Sequence, residues 1–556
     1  MPALSSARMR SSRDGGTSTD SLWLARHTPV AADDIGERRF DVIVAGAGLT
    51  GLTTALLLAR AGRRVAVLEG RRVGAATTGR TTAKLSVLQG SQLQKIKRRS
   101  YQAVVQAYVD ANLEGQRWML DFAEASGIPV QRRASVSYAS TRAGVSTVER
   151  EFEVASSVGL PVRLLPDAGL PFPTYAALVL PDQAQFDPMD VLAALASELR
   201  ELGGVIYEGV RLNGADARRP VVAHTTRGDL ECAQLVLATG VPVLDRGLYF
   251  AKVNPKRSYA ASFTVSGELP PDMYLSVDSP TRSIRTTPDD GEDLLLVGGS
   301  GHGVGRHPSP ASCVDDLTRW TKQHWPGAVR THLWSAQDYE TPHGVPFVGW
   351  LPRGRGRIFL ATGYDKWGMM NAVQCALTIA AELLGADDPP PWAAALHRRV
   401  TMPMALATGL GWGAAVAKHY AVGYARALSR PMPAEPPVEG AGVVGRRGIR
   451  PTAVSTVDGV SCAVSGVCSH MGGVLSWNDL ERTWDCPAHG SRFAPDGTVL
   501  EGPAKRPLSG YRPLGDRVPV GPSAEAAGRW NRGVMEPRHA EGGPGEPGPP
   551  SAPQLY

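Results

Sequence analysis

The clearest block of apolar and polar patterning is FDVIVAGAGLTGLTTALLLARAGRRVAVLEG, residues 40–70. A β-branched run at 42–44 predicts a strand. A glycine turn follows, then an apolar stretch of helical period to Ala61, then a second β-branched run at 65–68. Three further short apolar runs end in glycine turns: LVLATG (235–240), DLLLVGG (293–299) and RIFLATG (357–363). Interleaved strands and helices of this kind predict the α/β class with added antiparallel strands. The apolar run MALATGLGWGAAVA, residues 404–417, ends at Lys418 and His419. It falls short of the roughly twenty residues that span a bilayer, so it reads as a buried or amphipathic helix and no membrane insertion is expected.

Composition divides the chain. A length of 556 residues with 43% hydrophobic content is enough for two or three cores. Residues 1–37 and 523–556 are rich in polar residues or in Pro, Gly and Glu, and both are expected to be disordered tails. Four prolines within SRPMPAEPPVEG, residues 429–440, predict a stiff linker. The expected units are therefore residues 38–395, a helix and Pro-rich linker at 396–435, and a small module at 436–522. The N-terminus lacks an apolar signal segment, and the six cysteines are too scattered for a disulfide framework, so a reducing, cytoplasmic setting is expected. Net charge is +6 with no basic cluster denser than KIKRR (95–99), so no nucleic acid is expected.

Gly46, Gly48 and Gly51 form G-x-G-x-x-G between predicted strand and helix, and Glu69 follows eighteen residues later at the next strand end. The glycines permit a tight turn and close approach to a pyrophosphate, the helix N-terminus supplies amide donors, and Glu69 can accept from ribose hydroxyls. This fingerprint alone does not separate FAD from NAD. GRTTAKLS (79–86) and the return at LVLATG favour FAD and add Arg80, Thr81, Thr82 and Gly240 as contacts. The second glycine cluster, VGGSGHGVG (297–305), lacks the register and following helix of a dinucleotide site, which speaks against a nicotinamide reductase.

Over about residues 38–395 the chain resembles the D-amino-acid oxidase/glycine oxidase family of FAD-dependent oxidoreductases. TGRTTAKLS, QAQFDPMD, KRSYA, WSAQDYETPHGVPFVG and ATGYDKWGMMNA resemble the subgroup with a C-terminal Rieske domain, although His343 stands where that subgroup usually has an acid. The resemblance implies a Rossmann-like FAD-binding domain (about 38–90, 180–245 and 340–395) with an inserted α+β substrate domain (about 91–179 and 246–339). A helix opening at GYDKWGMM would point its N-terminus at the flavin ring, with Gly363, Lys366, Trp367, Gly368 and Met369 in contact. Arg257 and Arg285, on expected substrate-domain strands, are candidates to grip a substrate carboxylate, and His302 is a candidate to face the flavin. No general base is identified.

In VCSHMGGVLSWNDLERTWDCPAHGSRF, residues 467–493, Cys468 and His470 form C-x-H, and Cys486 and His489 form C-x-x-H fifteen residues on. A zinc site usually groups like residues around one ion. One thiolate and one imidazole per loop instead suit two irons, with both sulfurs on one and both imidazoles on the other. The spacing resembles a Rieske domain, a small all-β fold holding a 2Fe-2S cluster. Neutral imidazoles raise such a cluster's potential to roughly −150 to +300 mV. Gly473 and Ala488 occupy the positions of the usual bracing disulfide, and Phe493 replaces a tyrosine donor, so the lower half of that range is expected. The implied function is oxidation of a small amine or amino acid by FAD, with electrons passing through the cluster to an external partner. A non-catalytic electron carrier, a flavin oxidase using oxygen with the cluster as sensor, and inward electron flow remain alternatives at this point.

Overall fold

The computed structural model describes residues 20–385, 390–397, 402–510 and 512–513. The expected tail at 523–556 lies outside them. At the other end the expectation of disorder through residue 37 fails from residue 20 onward. Ser21 caps the short helix Leu22–Arg26, accepting from Leu24 N at 3.2 Å, and fully buried Trp23 donates Nε1–H to Thr81 O at 2.7 Å. Trp23, with Leu22 buried beside it and Leu24 packed against the same core, anchors the segment by burying its ring and satisfying its polar edge.

Arg39–Ala45 lies at the centre of a largely parallel sheet. It pairs in parallel with Val65–Leu68 on one side and Gly228–Leu237 on the other, with Val205–Tyr207 and Ile358–Thr362 outside these. Phe347–Trp350 adds an antiparallel edge. The strands are buried on both faces, which is why they read as continuous β-branched runs. Helix Leu49–Arg60 packs between Gly368–Leu384 and Pro188–Glu201, burying nearly its whole surface.

A second, nine-stranded sheet runs Val329–Glu340, Asn254–Thr264, Glu292–Gly303, Arg282–Asp289, Met273–Ser276, Gln131–Ala139, Ala176–Gln185 and Lys84–Leu85, with Arg163–Leu165 at its side. Two segments expected in the nucleotide-binding part, at 84–85 and 180–185, therefore belong to this sheet. Glycine-rich VGGSGHGVG is mostly strand: Glu292–Gly303 pairs along Asn254–Thr264, where missing side chains admit close approach of the neighbouring elements.

After helix Pro403–Ser429 come two four-stranded antiparallel sheets. One comprises Gly442–Arg447, Arg450–Val457, Val460–Ser465 and Arg512–Pro513. The other comprises Ser476–Asn478, Thr483–Asp485, Arg492–Phe493 and Val499–Glu501. The proline-rich stretch is tied down: Met432 N donates to Arg446 O and Arg446 N to Arg430 O. None of the helices among the described residues is long and apolar enough to cross a membrane.

Glu151 is a buried carboxyl that accepts from the amides of Leu93 and Gln94 at 2.9 Å each. Burial pushes it up to about 7 against those donors. Its neutral form is favoured in the fold, so this contribution is present below its ordinary value of 4.5 and is lost as pH rises through about 7. Thermal and denaturant unfolding followed across that window should show wild type losing up to about 3 kcal/mol relative to Glu151→Gln.

Candidate flavin and iron–sulfur sites

The sequence-predicted nucleotide contacts converge at the carboxyl ends of the parallel strands. Gly46 follows Ala45, Glu69 follows Leu68, Gly240 follows Leu237 by three residues, and Gly363 follows Thr362. This edge is where open α/β sheets bind ligands. Gly46 has φ +110°, and a Cβ there would lie 2.3 Å from Ala238 O; a Cβ at Gly51 would lie 1.8 Å from Gly46 O. Gly48 caps Leu49–Arg60 without a side-chain hydrogen bond. Glu69 accepts from Ala47 N at 3.0 Å and Arg71 N at 2.8 Å, so it braces the turn as well as lying beside it. These features make a cradle for a dinucleotide.

Residues 80–83 line the same region with their backbone pinned. Trp334 Nε1 donates to Arg80 O at 2.9 Å, Trp23 Nε1 to Thr81 O, and Arg285 Nη1 to Thr82 O at 2.7 Å and Ala83 O at 2.9 Å. Arg285 thus corrects one expectation: it is buried beneath the Trp23 ring and serves the loop backbone rather than a substrate. Burial lowers its pKa to about 9. His302 lies in a strand, 2.8 Å from the Tyr259 hydroxyl through Nε2 and from Gly303 O through Nδ1. Thr78 and Tyr364 were not singled out from sequence; Thr78 Oγ1 accepts from Leu49 N, and Tyr364 bonds Thr50 at 2.7 Å.

The turn at Gly363 leads into helix Gly368–Leu384, whose N-terminus no side chain caps. Asp365 and Lys366 take left-handed φ values of +50° and +71°, and Lys366 N donates to Asp338 at 2.5 Å. Lys366 projects toward the second sheet: a Cβ on Gly301 would lie 2.8 Å from both Lys366 Nζ and Ser258 Oγ. Desolvation lowers the pKa of this lysine. Trp367 is half-buried beside it and Met369 is buried.

The two Cys/His loops fold alike. Cys468 N donates to Gly473 O and Cys486 N to Ser491 O, both at 2.8 Å; Gly472 N returns to Cys468 O and Gly490 N to Cys486 O. The thiols face one another within hydrogen-bonding reach, and the rings of His470 and His489 stand 5.3 Å apart. The Cys486 thiol pushes Cys468 down, against burial, with the His470 amide and Ser491 hydroxyl helping, while Cys486 is pushed up by the same partner. Burial, with His470 and Arg306 nearby, lowers His489 to about 4, favouring the neutral imidazole a metal requires. Paired sulfurs and paired rings on facing loops fit a 2Fe-2S rhomb. A Cβ at Gly473 would lie 3.1 Å from Cys486 Sγ, and no disulfide bridges the loops. Two tyrosines of Pro403–Ser429 hold the first loop instead: Tyr420 donates to Met471 O at 2.8 Å and Tyr424 to Gly472 O at 2.9 Å.

Arg257 corrects a second expectation. It is 1% exposed, and it donates to Ser335 and, at 2.6 Å, to Glu481 of the small module, with Glu501 at 3.7 Å. Arg492 completes the network, reaching Glu481 at 3.1 Å, Asp485 at 3.2 Å and Glu501 at 3.3 Å. Burial opposes ionisation of Glu481, but Arg257, Arg492 and Arg80 outweigh it and hold the carboxyl at about 2. Around this lock, Arg306 Nε donates to Pro487 O at 2.8 Å, Gln337 Nε2 to Gly490 O at 2.8 Å, and Ser309 to Asp479 at 2.6 Å. A Cβ at Gly490, where φ is +78°, would lie 2.6 Å from Pro255 Cβ.

Comparison with known proteins decides the family. Residues 41–382 match the FAD dependent oxidoreductase family, and residues 430–512 match the Rieske [2Fe-2S] domain. The chain is an FAD-dependent oxidoreductase of that family. The Rieske 2Fe-2S iron-sulfur protein YhfW of Bacillus subtilis is 31% identical over 472 residues, covering 84% of this chain and 92% of that one. A cytochrome b6-f complex iron-sulfur subunit of Nostoc is 54% identical over 41 residues, 7% of this chain and 23% of its own. Glycine oxidase from Geobacillus kaustophilus shares the fold at TM-score 0.54 and 21% identity, covering 65% of this chain and all of that one. L-amino acid deaminase from Proteus vulgaris does so at 0.54 and 15%, covering 67% of this chain and all of that one. The enzyme's cofactors are accordingly FAD and a 2Fe-2S cluster.

Two substitutions test the geometry. Gly51→Ala, measured by flavin content after gel filtration, should weaken FAD retention ~tenfold or more, because the methyl collides with the turn backbone. Arg257→Met leaves two carboxylates short of a buried partner and should cost about 3–5 kcal/mol, seen as a lower melting temperature and faster proteolysis between residues 429 and 440.

Proposed function

We propose that the enzyme oxidises a small amine or amino acid at its flavin and passes the electrons singly through a cluster ligated by Cys468, His470, Cys486 and His489. FAD supplies two-electron hydride chemistry and the cluster supplies one-electron transfer, so the pairing divides a hydride into single-electron steps. The observation that carries this reading is the docking of the cluster loops on the flavoprotein part. His470 and His489 both pack edge-on against Phe250, at 4.6 and 4.8 Å, and Phe250 shares a buried cluster with Tyr339. Tyr339 O in turn accepts from Asp365 N in the turn assigned to the flavin. A continuous packed path thus joins the two sites.

With Arg257 and Arg285 committed elsewhere, the carboxylate-gripping role passes to Lys366, whose ammonium lies close to Gly301 of the second sheet. Solved neighbours described as a glycine oxidase, an L-proline dehydrogenase and L-amino acid deaminases support CH–NH donors as the substrate class. None of the six cysteines forms a disulfide, which supports a reducing, cytoplasmic setting.

Anaerobic stopped-flow mixing of the full-length holoprotein with glycine, sarcosine, L-proline and a panel of amino acids tests this. A substrate should bleach the flavin first and the cluster second, and Lys366→Met should raise KM for that substrate ~tenfold or more with FAD retained. Flavin bleaching with a cluster that stays oxidised would favour direct use of oxygen and overturn the relay.

A further inference from the structure

Segment 241–253 leaves the nucleotide-site turn at Gly240, passes over the cluster loops and re-enters the second sheet at Asn254. Two of its side chains meet the histidines. Phe250 wedges against both rings, and Asp245 Oδ1 lies 3.2 Å from His470 Nε2. The second oxygen, Asp245 Oδ2, is 3.1 Å from Lys505 Nζ. The His470 side chain is only 5% exposed. Its outer nitrogen therefore faces the flavoprotein part of its own chain rather than solvent.

We propose that Asp245 is a positioning residue that clamps the cluster's histidine edge onto the flavoprotein part and, through His470, makes the cluster harder to reduce. This rests on the reading of His470 as an iron ligand. With Nδ1 committed to iron, Nε2 carries the ring proton and donates it in a hydrogen bond to the carboxylate. A carboxylate acceptor makes the imidazole a stronger donor to the metal and favours the oxidised state. Lys505 opposes this by neutralising part of the same charge. Asp245 and Lys505 should then shift the cluster's potential in opposite directions.

The arrangement also closes one route. The outward edges of the two imidazoles are covered by Asp245 and Phe250, so an external redox partner must approach elsewhere. Shielding of this kind favours exchange with the flavin over exchange with a docked protein or quinone.

The test is an EPR-monitored redox titration of full-length holoprotein, with iron and labile sulfide measured on each sample. Asp245→Asn should move the cluster midpoint to more positive potential and change the hyperfine coupling of one ligand nitrogen; Asp245→Glu should restore the midpoint toward wild type. Lys505→Gln should move the midpoint to more negative potential, and it carries the test if Asp245→Asn fails to load its cluster. An unchanged midpoint in the loaded variants, or shifts of the same sign, would overturn the clamp while leaving the ligand assignment intact. A wild-type protein without a Rieske-type EPR signal would overturn the ligand assignment, and the clamp with it.

Discussion

Everything at the junction of the two redox sites depends on one buried ionic lock. Arg257 and Arg492 face Glu481, Glu501 and Asp485 where the Rieske domain meets the second, nine-stranded sheet. Burying five charges is costly unless each is paired, and here every carboxylate meets a guanidinium. The network therefore works as a geometric constraint: moving the small domain away leaves Arg257 uncompensated in a nearly dry site. Specificity of docking, rather than net stability, is what such a network supplies.

Once the lock is set, the rest of the junction follows. Gly490 lets the second cluster loop rest on Pro255, Arg306 grips its carbonyls, and Phe250 fills the space under both imidazoles. The first loop, lacking a disulfide, leans on Tyr420 and Tyr424 of helix Pro403–Ser429. That helix, together with a proline-rich stretch bonded to Arg446 through Arg430 O and Met432 N, acts as scaffold rather than tether. The proposed electron exchange between the sites would then need no domain motion.

Local patterns carried the sequence reading where the physics is local. The G-x-G-x-x-G turn, the β-branched strands of the parallel sheet and the paired Cys/His loops are set by residues close in sequence, and they lie in the structure as the spacing predicts. The roles of Arg257 and Arg285 are not local. Arg257 meets a partner 224 residues away, and nothing in KRSYA distinguishes a guanidinium aimed at a substrate from one aimed at another domain. Arg285 satisfies carbonyls some two hundred residues upstream. Asp245 and Phe250 sit in LDRGLYF, a stretch with no periodicity to mark it, and their meaning appears only when the cluster loops arrive. Trp23 is the exception that composition hid: one buried indole orders a segment whose other residues read as tail.

We infer that the lock holds the cluster in fixed register with the flavin. The most direct test is the rate of intramolecular electron transfer after anaerobic photoreduction of the flavin, measured in solutions of increasing viscosity. A locked junction predicts a single exponential whose rate does not change with viscosity. A rate that falls in proportion to viscosity, as for a small domain that must swing between positions, would contradict it.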